Sequence, residues 1–413
     1  MSPFDLTALF LVLVAVAGWV NLRTFQLPHA VVMLLVGLAA ALALTGLAAW
    51  FPEAAGGLIA AVRRIDFAQA VLGYMLAFLL FAGAMQVDLA ELRRRRLTVF
   101  ALATVGVAVS TVLVGGGIWL VARWLGTGLT LPWALVFGAL ISPTDPIAVL
   151  ATVKRGDLSK TVQVILQGEA LFNDGVGIVV FTALVAVAGG ASPSAGEAIG
   201  RVAIEAAGGL ALGLAAGFLV LRAMRAVDDF VVEVILTVAL AMGVYALAGA
   251  LHLSGPIAVV GAGLLVGDQH GSAVMSQTTQ TYLRGFWTLV DEILNGLLFL
   301  LLGVQIIVIP WERGLAAICA AATALVLLSR FLVVLPWGAQ LRLRREENWA
   351  SVVLAWGGLH GALSLALALS IPDGPYRTTI LAVTYVVAAF SVVVQGLTFA
   401  PLAGALRRRP AGA

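Results

Sequence analysis

The feature that most constrains this chain is a succession of long apolar segments running from one end to the other. A helix needs about 20 mostly apolar residues to cross a bilayer, and thirteen segments approach or meet that length. They lie near 6–22, 28–50, 69–87, 97–122, 130–150, 161–188, 197–221, 229–251, 253–267, 286–309, 314–340, 349–371 and 376–401. None alternates polar and apolar residues like a barrel strand, so we expect helices that satisfy their own backbone hydrogen bonds. The sequence predicts an all-α polytopic membrane protein.

Composition excludes a water-soluble enzyme. Hydrophobic residues make up 62% of the 413 residues and charged residues only 11%, whereas soluble domains carry about 25% charged residues. The single cysteine, Cys319, excludes a disulfide framework, and the four histidines show no zinc-binding HExxH spacing. A net charge of +3 is too small to indicate nucleic-acid binding. We expect no cofactor and no nucleic-acid partner.

The positions of Lys and Arg predict an orientation, because cytoplasmic connections carry an excess of both. With the N-terminus outside, 17 of the 24 basic residues fall in or beside cytoplasmic connections and 6 in or beside outer ones, and only Arg330 lies deep within a span. We therefore predict an inner-membrane protein with its C-terminus in the cytoplasm. A single transmembrane domain is expected over 1–401, followed by a short cytoplasmic tail at 402–413.

Thirteen spans divide into two six-helix halves of inverted topology. The first half is expected over 1–188 and the second over 229–401, joined by a linking helix at 197–221. Transporters built in this way bind their substrate where helices are interrupted at corresponding positions of the two halves. An interruption in the fifth span of each half would therefore indicate the site.

Both fifth spans contain such an interruption. Pro143 and Pro146 in the first half have no backbone N–H to donate within a helix. Gly357 and Gly358 in the second half are also unfavourable in a helix interior. We predict that both helices are broken near the middle of the membrane.

Four charged side chains lie deep in apolar segments: Asp145, Glu169, Asp174 and Arg330. Each costs roughly 2.5–3.5 kcal/mol at a helix centre on insertion scales, so each needs a partner or a wet cavity. A self-neutralising cluster is the simplest interpretation, but three carboxylates exceed one guanidinium. A cation, a proton or water must supply the remaining partners.

Helix geometry suggests a division of roles among these residues. Glu169 and Asn173 are four residues apart and share a helix face, while Asp174 lies about 100° further round. Glu169 is then the candidate partner of Arg330, and Asp174 the unpaired acid. Such a carboxylate can hold a proton or a small hard cation, but not both together. Oxygen ligands suit such cations, so we predict that Asp174 and Thr144 bind the ion.

Asp291 and Glu292 are expected at the start of the tenth span. An acid in that place could draw cations towards the protein. A solvated helix end is the alternative interpretation.

Two motifs identify a family resemblance. Residues 142–146 read SPTDP and residues 167–174 read QGEALFND. In adjacent spans and in this order, they resemble the sodium/proton exchangers of the monovalent cation:proton antiporter-1 family. The likeness continues at 254–260, 294–299 and 355–358 and covers essentially the whole chain.

The resemblance implies a homodimer in which a core bundle with broken, crossing helices moves against a dimerising scaffold. It assigns ion and proton binding to Asp174. It also implies that Thr144, Asp145 and Asn173 bridge the crossing of the broken helices. Asparagine at position 173 resembles the electroneutral branch, in which one monovalent cation is exchanged for one proton.

Further family features are carried by other positions. The pair of Glu169 and Arg330 is implied to stabilise the core. The chain departs from the family at Ala170, where many relatives have serine, and at Ala82, where some have glutamate. It also has His360 where the usual motif is GGLRG. A titrating His360 could sense pH; a neutral histidine packed near the span end is the alternative.

We therefore expect a secondary antiporter that exchanges Na+, or else Li+ or K+, for H+ by alternating access, with the cation and the proton competing at Asp174. The alternatives are a K+/H+ antiporter of the same fold and a passive cation channel, although the chain lacks the ring-forming filter motifs typical of channels. The expected partners are monovalent cations, protons, membrane lipid and a second copy of the chain.

Overall fold

Almost every residue in the described part of the chain lies in a helix. The computed structural model describes residues 3–146, 150, 158–191, 194–268, 271, 273, 275–309, 311, 314–343 and 349–407, and no strand occurs among them. The helices are α1 (Pro3–Arg23), α2 (His29–Trp50), α3 (Pro52–Arg63), α4 (Gln69–Gln86), α5 (Leu89–Leu125), α6 (Leu131–Ile141), α7 (Lys160–Ala188), α8 (Ala195–Met224), α9 (Phe230–Ala250), α10 (Gly255–Gly267), α11 (Gln277–Ile307), α12 (Leu315–Leu343), α13 (Ala350–Gly357), α14 (Ala362–Leu369) and α15 (Arg377–Leu406). The prediction of an all-α fold is confirmed.

Helix lengths show a protein that crosses the membrane many times. Among the described residues, ten helices are long and apolar enough to span a bilayer, and the pair α13 and α14, bent by 44°, makes an eleventh candidate. The predicted spans at 130–150 and 253–267 contain the shorter apolar helices α6 and α10. Residues 147–149, in the first of these spans, lie outside the described residues. The multi-pass fold is confirmed, whereas the count of thirteen spans stays a prediction.

The helices differ from the sequence-based expectation in some of their starts and in one additional helix. Helix α11 begins at Gln277 rather than at 286, because a polar first part precedes the apolar part of the helix. Ser276 caps the helix by accepting a hydrogen bond from the Thr279 N–H. The prediction that Asp291 lies at a span start is therefore wrong, since it lies in mid-helix. The short helix α3, which begins with a proline at its first position, was not predicted at all.

Short polar side chains mark the start of five further helices. They accept hydrogen bonds from backbone N–H groups that have no partner within the helix. These capping residues are Asp88 for α5, Ser159 for α7, Ser194 for α8, Asp229 for α9 and Ser254 for α10. At the start of α8, the Glu197 carboxylate in turn accepts a hydrogen bond from the backbone N–H of Ser194.

Helix packing separates the chain into two groups. Helices α5–α7 and α12–α15 pack mainly on one another and form the core bundle, while α1, α2, α4 and α8–α11 form the scaffold bundle. The bundles meet where α7 packs on α8 and α10, and where α14 packs on α4 and α11. Within the core bundle, α5 and α6 approach one another so closely that a Cβ at Gly115 or Gly138 would overlap the facing backbone. The missing side chains of these glycines permit this approach. The inverted relation of the two sequence halves stays a prediction.

Candidate functional site

The two interrupted helices of the core bundle meet at their breaks. Helix α6 ends at Ile141, ahead of Pro143, and the chain between α13 and α14 is likewise not helical. The backbone N–H of Asp145 in the first break donates to the carbonyl oxygen of Leu359 in the second, at 2.7 Å. Backbone groups released from one helix therefore find partners in the other.

Proline and glycine occupy the predicted positions at these breaks. Pro146 is buried, and its carbonyl oxygen accepts from the Leu150 N–H at 2.9 Å. Gly357 is the last residue of α13, and Gly358 follows it. A Cβ at Gly358 would overlap the guanidinium of Arg330. Glycine there lets the second break lie directly against this buried cation.

His360 connects the two breaks to α15. The side chain is 4% exposed, and its Nδ1 lies 3.2 Å from the carbonyl oxygen of Pro143. Its backbone N–H donates to the Ser391 hydroxyl at 3.0 Å, and that hydroxyl donates to the side-chain oxygen of Gln395. Ser391 and Gln395 are the first and last residues of a π-helical turn in α15. Such local widenings of a helix are frequent at functional sites. The pH-sensing role of His360 stays a prediction.

Helix α7 faces the first break through a neutral amide. Asn173 is 1% exposed, and its Nδ2 donates to the hydroxyl of Thr144 at 3.1 Å. The other end of the same amide, Oδ1, is buried and has no hydrogen-bond partner among the described residues. Asn173 thus bridges α7 to the break and leaves one acceptor oxygen open.

Asp174 follows Asn173 and is partly exposed. Within the described ranges its carboxylate has neither a hydrogen-bond partner nor an ion-pair partner, and the negative charge of Asp145 acts on it. The Asp145 carboxylate lies beside Gly361, close enough that a Cβ there would contact it at 3.3 Å. The crossing therefore carries two carboxylates and several neutral oxygens, a donor set that suits a hard cation.

Glu169 and Arg330 form a separate, buried ion pair. Arg330 Nη2 lies 2.9 Å from Glu169 Oε2, and Nη1 bonds the other carboxylate oxygen, so the contact is bidentate. Glu169 is 2% and Arg330 7% exposed. Nη2 also donates to the Leu354 carbonyl oxygen at 3.1 Å. The pair joins α7, α12 and α13, and Arg330 is engaged by Glu169 rather than by Asp174.

Sequence reasoning missed the polar residues of α15. Ser391 and Gln395 are both 1% exposed, and Gln395 Nε2 also bonds the carbonyl oxygen of Trp356 at 3.3 Å. Ser391 and Gln395 are four residues apart and lie on one face of α15, and this spacing was the available signal. Ala82 and Ala170 are both buried, and neither side chain carries an oxygen.

Comparison with known proteins gives consistent matches over the whole chain. The family described as sodium/hydrogen exchanger, transmembrane, matches residues 11–405. The Na+/H+ antiporter NhaP of Pseudomonas aeruginosa is 40% identical over 405 residues, which are 96% of each chain. The Na+/H+ antiporter NhaH of Halobacillus aidingensis is 34% identical over 381 residues, or 91% of each chain.

A solved structure supports the fold. The sodium proton antiporter MjNhaP1 from Methanocaldococcus jannaschii superimposes with a TM-score of 0.74, covering 99% of both chains. Its sequence is only 21% identical. This likeness therefore bears on the arrangement of the helices alone.

Proposed function

Because the chain belongs to the sodium/hydrogen exchanger family and exchanges cations for protons across a membrane, we propose that Na+ and H+ compete for Asp174. The observation that carries this proposal is that the Asp174 carboxylate has no neutralising partner among the described residues, although it lies in the core bundle beside Asn173 and near a second acid. A charged group in such a place needs a counterion or a proton.

The proposed ligands come from both elements of the crossing. Asp174 supplies a carboxylate from α7, the hydroxyl of Thr144 supplies an oxygen from the break, and Asn173 holds these two elements together. Asp145 adds negative charge, which favours any bound cation. A proton on Asp174 removes the charge that a cation needs, so the two occupants exclude one another.

The proposed stoichiometry is one monovalent cation for one proton. A single titrating carboxylate accepts one positive charge in either form, so the two forms of the loaded site carry equal charge. The exchange is then electroneutral. No bound cofactor is needed, because the ion gradients supply the free energy.

We propose that transport occurs by alternating access in a homodimer. All the proposed site residues belong to the core bundle, so a movement of this bundle against the scaffold bundle would carry the site from one face of the membrane to the other. The proposed location is the inner cell membrane, with the N-terminus outside and the C-terminus in the cytoplasm. The excess of basic residues on one side of the membrane supports this orientation.

Purified protein in liposomes with an acidic lumen tests this function. Addition of Na+ or Li+ outside is expected to relax the pH gradient in a saturable manner, and collapse of the membrane potential is expected to leave the rate unchanged. K+ tests the preference of a site to which Ala82 and Ala170 contribute no side-chain oxygen. Relaxation with K+ alone would indicate a K+/H+ antiporter. Cation currents that do not depend on protons would indicate a channel, and no relaxation with any of the three cations would contradict the proposal.

A further inference from the structure

A cavity of about 420 Å³ lies between the scaffold helices α4, α10 and α11 and the start of α5. Its polar lining includes Gln86, Asp88, Asp268, Arg284 and Thr288. It lies at the ends of α4 and α10 and the start of α5, beside the first half of α11. Asp291 lies one turn beyond Thr288 on α11 and is not among the residues of the site described above.

Asp291 is held by two amide side chains. The Nδ2 of Asn295, on the next turn of α11, donates to Asp291 Oδ1 at 2.9 Å. The side chain of Gln86, which lines the cavity, interacts with the same carboxylate from α4. The acid therefore lies where two scaffold helices face one another, next to the cavity.

Asn295 leaves an acceptor open at this point. The residue is 5% exposed, and its Oδ1 is buried with no hydrogen-bond partner among the described residues. The Nδ2 of the same planar amide donates to Asp291, so this oxygen belongs to the group that contacts the carboxylate. An unpaired buried acceptor is costly, and a cation held by Asp291 would satisfy it.

The charge of Asp291 acts on the core bundle. It interacts repulsively with Asp145, the acid of the first helix break. Like charges on the two facing bundles are relieved when a cation lies between them. The carboxylate on the scaffold is thus coupled electrostatically to the site that contains Asp174.

We propose that Asp291, Asn295 and Gln86 form a second binding subsite for the transported monovalent cation, between the cavity and Asp174. This inference rests on the function proposed above. One carboxylate and neutral amide oxygens fit a singly charged, partly hydrated cation, whereas a divalent ion prefers more carboxylate ligands. The subsite raises the local cation concentration at the entrance without taking part in the exchange of cation for proton.

The Asp291→Asn variant tests the subsite through the concentration dependence of transport. In everted membrane vesicles, where the face predicted to be cytoplasmic is accessible, the apparent KM for Na+ is expected to rise about tenfold, the scale for loss of one charged contact. The maximal rate is expected to stay within about twofold. Asp291→Glu keeps the charge and is expected to restore the KM. An unchanged KM in Asp291→Asn would overturn the subsite.

Glu292 supplies a matched control, since it is adjacent in sequence but exposed. Glu292→Gln removes the same charge from the same helix, and solvent screens that charge. We expect its KM for Na+ to equal that of the parent protein. An equal rise in KM in both variants would overturn the subsite in favour of general surface charge.

Binding distinguishes failure of the subsite from failure of the proposed function. In the Asp174→Asn variant, Na+ is expected still to raise the melting temperature through the remaining subsite. The Asp174→Asn/Asp291→Asn double variant is expected to lose this rise. No rise in Asp174→Asn alone would overturn the subsite and leave the proposed function intact, whereas continued exchange by Asp174→Asn would contradict the proposed function itself.

Discussion

Replacing Asp174 with asparagine is expected to abolish cation-driven relaxation of the pH gradient and to leave only the rate of protein-free liposomes. The amide preserves the size of the side chain but neither carries a negative charge nor takes up the exchanged proton. Asp145 would remain as the other carboxylate at the crossing, but it cannot replace the exchange at Asp174. The measurement is the initial rate of dequenching of a pH-sensitive dye after addition of Na+.

Asp373→Asn is the matched control for this variant. Asp373 lies in the connection between α14 and α15, and its side chain is 97% exposed, 3.3 Å from Arg377. The same chemical change at an exposed position has little effect on a folded protein, so we expect the rate of the parent. Exchange by Asp174→Asn at a comparable rate would show that the competing carboxylate lies elsewhere.

The second large effect concerns the stability of the core bundle. Glu169→Gln would leave the guanidinium of Arg330 buried without its counter-charge, and Arg330→Met would strand the carboxylate of Glu169. Loss of one partner of a buried pair costs about 3–5 kcal/mol. The double variant removes both charges together, so we expect it to lose less stability than the sum of the two single variants. Thermal unfolding in detergent measures this coupling.

An exposed pair on α8 provides the comparison. Arg201 Nε lies 2.8 Å from Glu205 Oε1, but the Arg201 side chain is 76% exposed. Such pairs contribute about 0–1 kcal/mol, so Arg201→Met is expected to change the unfolding temperature little. Losses that are strictly additive for Glu169 and Arg330 would show that the two charges do not stabilise one another.

The apolar segments predicted the all-helical, multi-pass fold because burial of the backbone in lipid leaves few alternatives. The start of α11 was not predictable from hydropathy, since the polar residues after Ser276 continue the helix beyond its apolar part. Helix α3 has no apolar segment long enough to cross the membrane. Local capping and packing, rather than hydrophobicity, set these boundaries.

The candidate site was predictable in its residues but not in its contacts. Prolines, glycines and charges are unfavourable inside an apolar helix. The site residues of these types could therefore be recognised in the sequence. The contact of Asp145 with Leu359 and that of His360 with Pro143 join residues more than 200 positions apart. No local rule predicts such pairs. The hydrogen bonds from His360 to α15 likewise depend on a π-helical turn that no sequence pattern predicted.

Calorimetric titration with Na+ in buffers of different ionisation enthalpy measures the protons released when the cation binds. The Na+ binding that the parent protein shows and the Asp174→Asn variant lacks is binding at Asp174. If Na+ and H+ compete at this carboxylate, that binding releases about one proton per cation at pH values where the site is protonated, and progressively fewer as the pH rises. Binding at Asp174 that releases no protons at any pH would contradict competition between the two ions.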